Sequence, residues 1–467
     1  VTVYRPSDAS TCTTQQFYRN QWFTSTTTMA DPVLTTSTTG TSNTNPTMVS
    51  GYSFSKLTTS ASSGGTSYTT VAAAAKTNTT TFYTTETKAV SITGTFYYNS
   101  NTTNGSTTIS NTTASANGTN TLHCTSTSAA SATQGAASIT IPSAVTGSVG
   151  TYNNAYAGVS TGANMTAANS NTTVSPTANT TYYAIYRTNV TNYYYSSSYT
   201  SRTLYRNQWF TSTTAMADPV LATGTTGTSN VGTAVGPGSS VWSGLSTGAD
   251  TTAEYSSVAA AAKSNSTSLY TVYQFNVTYA KGANVSAIGA TSGNCKVSAT
   301  GASAGGTSCN VTLPSITPNT GYTSVGWSTT NGATTGTAAG SAYTLSSTGG
   351  TLYANATGNT YTATFYYNSN ATNGSKTVAT KTASCTVSNT AGNCSATIPS
   401  EVTGSVGTYN NAYAGLSTST GNMTQAVAST ATTVTLSANT TYYSLYRTNV
   451  TVYRPSDAST CTTQQFY

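Results

Sequence analysis

VTVYRPSDASTCTTQQFY fills positions 1–18 and, letter for letter, positions 450–467. Identity over such a stretch does not arise by chance. The distance between the two copies is 450 − 1 = 449 residues, so the chain reads as one period plus the opening of the next. Repeats must be recognised before any other fold assignment, because a repeat array folds unit by unit and each unit contacts its neighbours.

Smaller landmarks divide the period. YRNQWFTST starts at Tyr18 and again at Tyr205, and MADPV (Met29, Met216) and VAAAAK (Val71, Val258) keep the same shift of 205 − 18 = 187. FYYNSN starts at Phe96 and Phe365, and TGSVGTYNNAYAG at Thr146 and Thr403, so the shift falls from 269 to 257 through a shorter intervening loop. The stretch 276–360 matches neither pair closely. These landmarks predict five modules: A (1–89), B (90–189), A′ (190–275), C (276–360) and B′ (361–449), with 450–467 as the first strand region of the next module A.

Each module repeats one grammar. It opens with aromatic and β-branched residues at period two, as in TFYY (95–98), and closes on an aromatic-rich stretch such as YYAIY (182–186). Both patterns are those of strands. Between them an aromatic or Val, a small residue, a large apolar residue and Ser or Thr recur, and the large apolar core position is Leu57, Val159, Leu245, Trp327 or Leu416. Clusters such as SSGG at Ser62 and STGG at Ser347 mark turns. The only alanine-rich stretches able to form a helical turn or two are 71–76 and 258–263. The fold class predicted is all-β, a tandem array of small modules with little helix.

GYTSVGWSTT (321–330), TLYANA (351–356) and YTATFYYNSN (361–370) together resemble the Listeria–Bacteroides repeat, the internalin B-repeat type of module. Module C carries the resemblance best, through Trp327; the other modules have Leu57, Val159, Leu245 and Leu416 at that place. The resemblance implies β-grasp-like modules strung along secreted bacterial surface proteins. It supplies no catalytic residues.

Composition excludes several classes. Only 5% of residues are charged and the net charge of +7 is spread without a Lys or Arg run, so a nucleic-acid partner is not expected. The 34 Tyr, 9 Phe and 4 Trp supply buryable β-prone surface that disordered Ser/Thr-rich tracts lack. No apolar run approaches the length of a membrane-spanning helix, and no secretion signal stands at Val1. One His, His123, and scattered acids give no catalytic, cofactor or metal constellation. Asp31 and Asp218, each before a proline in MADPV, are expected to cap a turn. Regularly spaced Thr pairs of the ice-binding kind are absent.

The seven cysteines divide into two sets. Cys295 with Cys309 and Cys385 with Cys394 lie at equivalent places and predict hairpin-closing disulfides. Cys12, its copy Cys461, and Cys124 have no partner in their own module; they are free or link modules or chains. Asn-X-Ser/Thr triplets, among them Asn101, Asn104 and Asn179, are what an Asn- and Thr-rich chain contains by composition.

A non-enzymatic extracellular structural protein follows, a stalk, fibre or filament built by self-association of identical repeats. The alternative is an adhesin that presents modules to glycans or a host surface. For the adhesin the candidate patch is Tyr193, Tyr194 and Tyr195, aligned by the 187-residue shift with Pro6, Ser7 and Asp8.

Overall fold

A computed structural model of the chain describes residues 1–61, 65–101, 106–166, 169–370, 372 and 375–467. Most of SSGG at Ser62 and the Asn104 triplet lie outside these residues. The described residues are mainly β, with helix confined to four short α-helical segments and three 3-10 turns.

One strand pattern recurs five times. In module A the opening strand Thr2–Pro6 pairs antiparallel with Cys12–Gln16 and parallel with the first residues of Thr81–Asn99, whose other edge takes Ser53–Thr58 antiparallel. The closing strand therefore lies between the opening strand and the mid-module strand. Parallel opening–closing pairs follow in module B (94–97 with 180–183), A′ (191–193 with 268–270), C (277–281 with 350–354) and B′ (363–366 with 440–443).

The closing strand of one module is also the opening strand of the next. Thr81–Asn99 runs unbroken through the A–B boundary, Thr180–Tyr195 through B–A′ and Ser268–Lys281 through A′–C. No linker intervenes, and seventeen described strands from modules A to C form one sheet. Between C and B′ the strand breaks at Asn359, and B′ has its own five-stranded sheet. That joint is a close backbone approach: Gly321 and Gly392, both at positive φ, leave no room for a side chain on either.

Among the described residues five hydrophobic cores lie along the chain, each drawn mainly from one module. Leu57, Val159, Leu245, Trp327 and Leu416 are all buried. Each follows a bulge in the mid-module strand. In module C the bulge residue Gly326 takes φ +105°, and a Cβ there would lie 2.4 Å from the Thr337 carbonyl oxygen. The bulge turns the next residue inward, where Trp327 packs on Tyr279 and donates its indole N–H to the Pro314 carbonyl at 2.9 Å.

The alanine-rich stretches form the helices Val71–Ala75 and Val258–Ala262, capped by the Thr70 and Ser257 hydroxyls. Two further turns, Ser143–Thr146 and Ser400–Thr403, follow prolines that the sequence pattern did not single out. Asp31 and Asp218 do not cap turns. They form ion pairs with Lys76 and Lys263 at 2.5 and 2.7 Å, tying MADPV to the end of VAAAAK in both A-type modules.

The module joints as the candidate functional site

Cys12 and Cys124, expected to be unpaired or to link modules, are joined to each other across the A–B boundary. The hairpin arm Ile109–Cys124 of module B pairs with the shared strand from Asn99 back to Thr85 of module A. Its tip then meets the first hairpin: the Cys12 N–H donates to Ser128 and the Ala130 N–H to Ser10. Cys461, at the place of Cys12 in the second copy, is an exposed free thiol.

Register identifies the same two places at the next joints. Pro6 pairs with Cys12, Asn99 with Ile109 and Tyr195 with Tyr199, so Cys12, Ile109 and Tyr199 are equivalent. Glu86 faces Leu122 and Tyr186 faces Gln208, which makes Phe210 the counterpart of Cys124; Thr85 facing His123 and Val272 facing Ser298 make Ala299 its counterpart in module C. Three joints therefore hold three different pairs at one position: Cys12 with Cys124, Ile109 with Phe210, and Tyr199 with Ala299.

At the B–A′ joint Phe210 of A′ is fully buried in the core of module B, with Ile109 packed against the same cluster and the Tyr183 ring at 5.9 Å. The Thr151 N–H donates to Gln208 Oε1 at 2.9 Å, fixing the arm. At the A′–C joint the Tyr199 ring enters the core of module C and its hydroxyl donates to the Gly306 carbonyl. The ring lies where a Cβ on Gly305 would be. Burial, with Tyr273 and Tyr195 nearby, pushes the Tyr199 hydroxyl far above the ordinary tyrosine range, so it stays a donor.

Aromatic stacking lines the parallel pairs. Tyr4 on Tyr83, Tyr97 on Tyr183, Tyr193 on Tyr270 and Tyr366 on Tyr443 repeat one contact at 4.8 to 5.5 Å. The register corrects the alignment of Tyr193, Tyr194 and Tyr195: their counterparts are Tyr4, Arg5 and Pro6, because the A′ hairpin loop is two residues shorter than that of module A. They are half-buried rather than an exposed patch. Tyr194 lies against the Arg202 guanidinium at 4.4 Å and Tyr195 edge-on to Tyr199.

A second recurrent contact caps the opening strand. The hydroxyls of Tyr186, Tyr273 and Tyr446 accept the N–H of Asn99, Tyr195 and Asn368 at 2.7 to 2.8 Å. In module A the donor position is Pro6, which has no N–H, and the acceptor position is Glu86, which is buried and accepts instead from the Val49 N–H at 2.9 Å. Burial raises the Glu86 carboxyl above its ordinary value, with the Val49 N–H and Arg5 acting in the opposite direction.

The two local disulfides span layers. Cys295 on Ser292–Gly301 of the main sheet is joined to Cys309 of the small sheet that covers module C, and Cys385 to Cys394 likewise in B′. They pin a covering sheet to the main one instead of closing a two-stranded hairpin. His123 is half-buried opposite Thr85, and among the described residues no three His, Cys, Asp or Glu converge on a metal-binding point. No described helix is long and apolar enough to cross a membrane.

Comparison with protein-family models, with curated proteins and with solved structures finds no match. The internal copies are the available relatives, and they place the conserved geometry at the joints.

Proposed function

We propose that the chain is a length of an extracellular stalk or filament, non-enzymatic, made of β-grasp-like modules of the Listeria–Bacteroides repeat type and held in line by rigid joints. One observation carries this reading: three successive boundaries are crossed by a single unbroken strand, and at each a side chain of one module enters the core of its neighbour or binds it covalently. A transport or signalling hinge would place flexible, polar linkers there. Three disulfides in one chain suit an oxidising compartment. A sparsely charged, hydroxyl-rich surface suits a material that associates with itself.

Small-angle scattering tests the reading. Five compact modules in line, each about 30 Å across, give a rod on the order of 150 Å long. A compact particle of the same mass would overturn it.

A further inference from the structure

We propose that the A–B joint holds a binding site for an acidic sugar unit, in a hollow of ≈ 390 Å³ lined by Lys56, Tyr83 and His123. The site goes beyond the stalk reading and does not depend on it.

The internal copies show what is peculiar to this place. Thr85 pairs with Lys56 on one side and with His123 on the other. In the other four modules the position of Lys56 is a bulge glycine at positive φ: Gly158, Gly244, Gly326 and Gly415. The position of Thr85 is there Ile185, Val272, Asn355 or Leu445, each buried. His123 stands where the next two joints have Trp209 and Ser298. Module A alone therefore brings an ammonium, a hydroxyl and an imidazole into one row across adjacent strands.

The fastening of the joint explains the space. Phe210 packs beside Tyr183 at B–A′, and the Tyr199 ring enters module C at A′–C, so an aromatic side chain fills each of those joints. At A–B the slimmer Cys12–Cys124 disulfide takes that position, and Cys124 and Tyr83, the counterpart of Tyr183, both line the hollow.

The size falls within the range of small-molecule sites, roughly 300 to 1,000 Å³. The walls specify the chemistry. Among the described residues no Asp or Glu lines the hollow, Lys56 forms no ion pair and the His123 imidazole no hydrogen bond. Both are available to a carboxylate, and an imidazole donates an N–H in either charge state. Around them Ser55, Thr58, Thr87 and Thr121 offer hydroxyls, and Tyr83, stacked on Tyr4, offers a ring against which the C–H face of a sugar can lie. A carboxylate, several hydroxyls and an apolar ring face on one small body describe a uronic acid. The polar wall also continues outward: Thr119, Asn117, Ser115 and Thr113 follow Thr121 on the same face of the arm and are exposed, giving neighbouring sugars of a chain a track to lie on.

Calorimetric titration of the full chain with trigalacturonic acid tests this. Its methyl ester keeps the hydroxyls and loses the charge; sodium sulfate keeps only charge. Three variants are compared, Lys56→Gly, Thr85→Val and His123→Ser, each installing a residue that another module carries at that place, so circular dichroism should be unchanged. The acid should bind one to one, the ester at least about tenfold more weakly, and sulfate not measurably. Lys56→Gly should weaken binding of the acid about tenfold or more, with smaller losses for the other two. No binding of the acid, equal binding of acid and ester, sulfate competing as well as the acid, several acids bound per chain, or an affinity that Lys56→Gly leaves unchanged would each overturn the site. A rod in scattering that binds no acid would do so while leaving the stalk reading intact.

Discussion

The A–B and A′–C joints place different chemistry at one position. In the first, Cys12 reaches Cys124 and closes a covalent loop with a sequence separation of 112. In the second, Tyr199 occupies the place of Cys12, Ala299 that of Cys124, and a buried ring with one hydrogen bond does the fastening. The neighbouring residue follows the choice: Ala130 pairs with Cys124, whereas Gly305 pairs with Ala299 and so leaves space for the ring. A joint of fixed backbone geometry can thus be locked by restricting the unfolded chain or by filling the folded one. The covalent lock depends on redox conditions; the aromatic one does not.

The largest effect should come from removing the covalent lock. Cys12→Ser with Cys124→Ser should cost the A–B unit about 5 kcal/mol, as expected for a loop of about 100 residues, and leave A′–C unchanged. Denaturant titration of the double variant reads this, and a loss below about 1 kcal/mol would show that the strand pairing alone holds the joint.

Next comes Gly305→Ala. A methyl group where the Tyr199 ring lies should cost about 1 to 3 kcal/mol, and the same change has no counterpart at A–B, where alanine already stands. The reciprocal exchange sharpens the comparison: Tyr199→Cys with Ala299→Cys should form a disulfide, visible as a mass loss of two hydrogens under oxidising conditions. Failure to form it would mean that the positions are not equivalent.

Tyr199→Phe keeps the ring and deletes the hydroxyl. It should cost about 1 kcal/mol, leaving the Gly306 carbonyl unpaired, and thermal unfolding of the A′–C unit would detect it. No change would assign the whole fastening to packing.

The smallest effect depends on pH and separates modules A and A′, where Glu86 and Tyr273 are counterparts. Burial raises the folded pKa of Glu86 above the unfolded value. Its contribution is therefore fully present below the ordinary glutamate pKa and is lost as pH rises through the raised one. Glu86→Gln should stabilise module A near neutrality and make no difference at low pH. A gain of equal size at all pH values would exclude titration of Glu86 as its source.

Much of this was legible in the chain itself. Period-two aromatic stretches announce strands because a pleated strand buries alternate residues, and Leu57, Val159, Leu245, Trp327 and Leu416 stand out by recurrence. Two features misled. The 187-residue shift places Tyr193 opposite Pro6 because the nearest landmark, YRNQWF, lies beyond a hairpin loop that differs by two residues; strand register is fixed by cross-strand pairing, and a loop-length change is invisible to a constant shift. Asp31 and Asp218 looked like turn caps because their lysine partners are distant in sequence.

By itself the sequence determined the unit and its count: local alternation sets strand from turn, and exact repetition sets the period, since both are properties of neighbouring residues. Only the tertiary structure decided what happens between units. Whether Cys12 is free or bound to Cys124, whether Phe210 lies in its own core or its neighbour's, and whether a boundary is a linker or an unbroken strand all depend on pairing between segments up to about a hundred residues apart. Such pairing is selected by the summed burial and hydrogen bonding of the assembled sheet, which no single segment encodes.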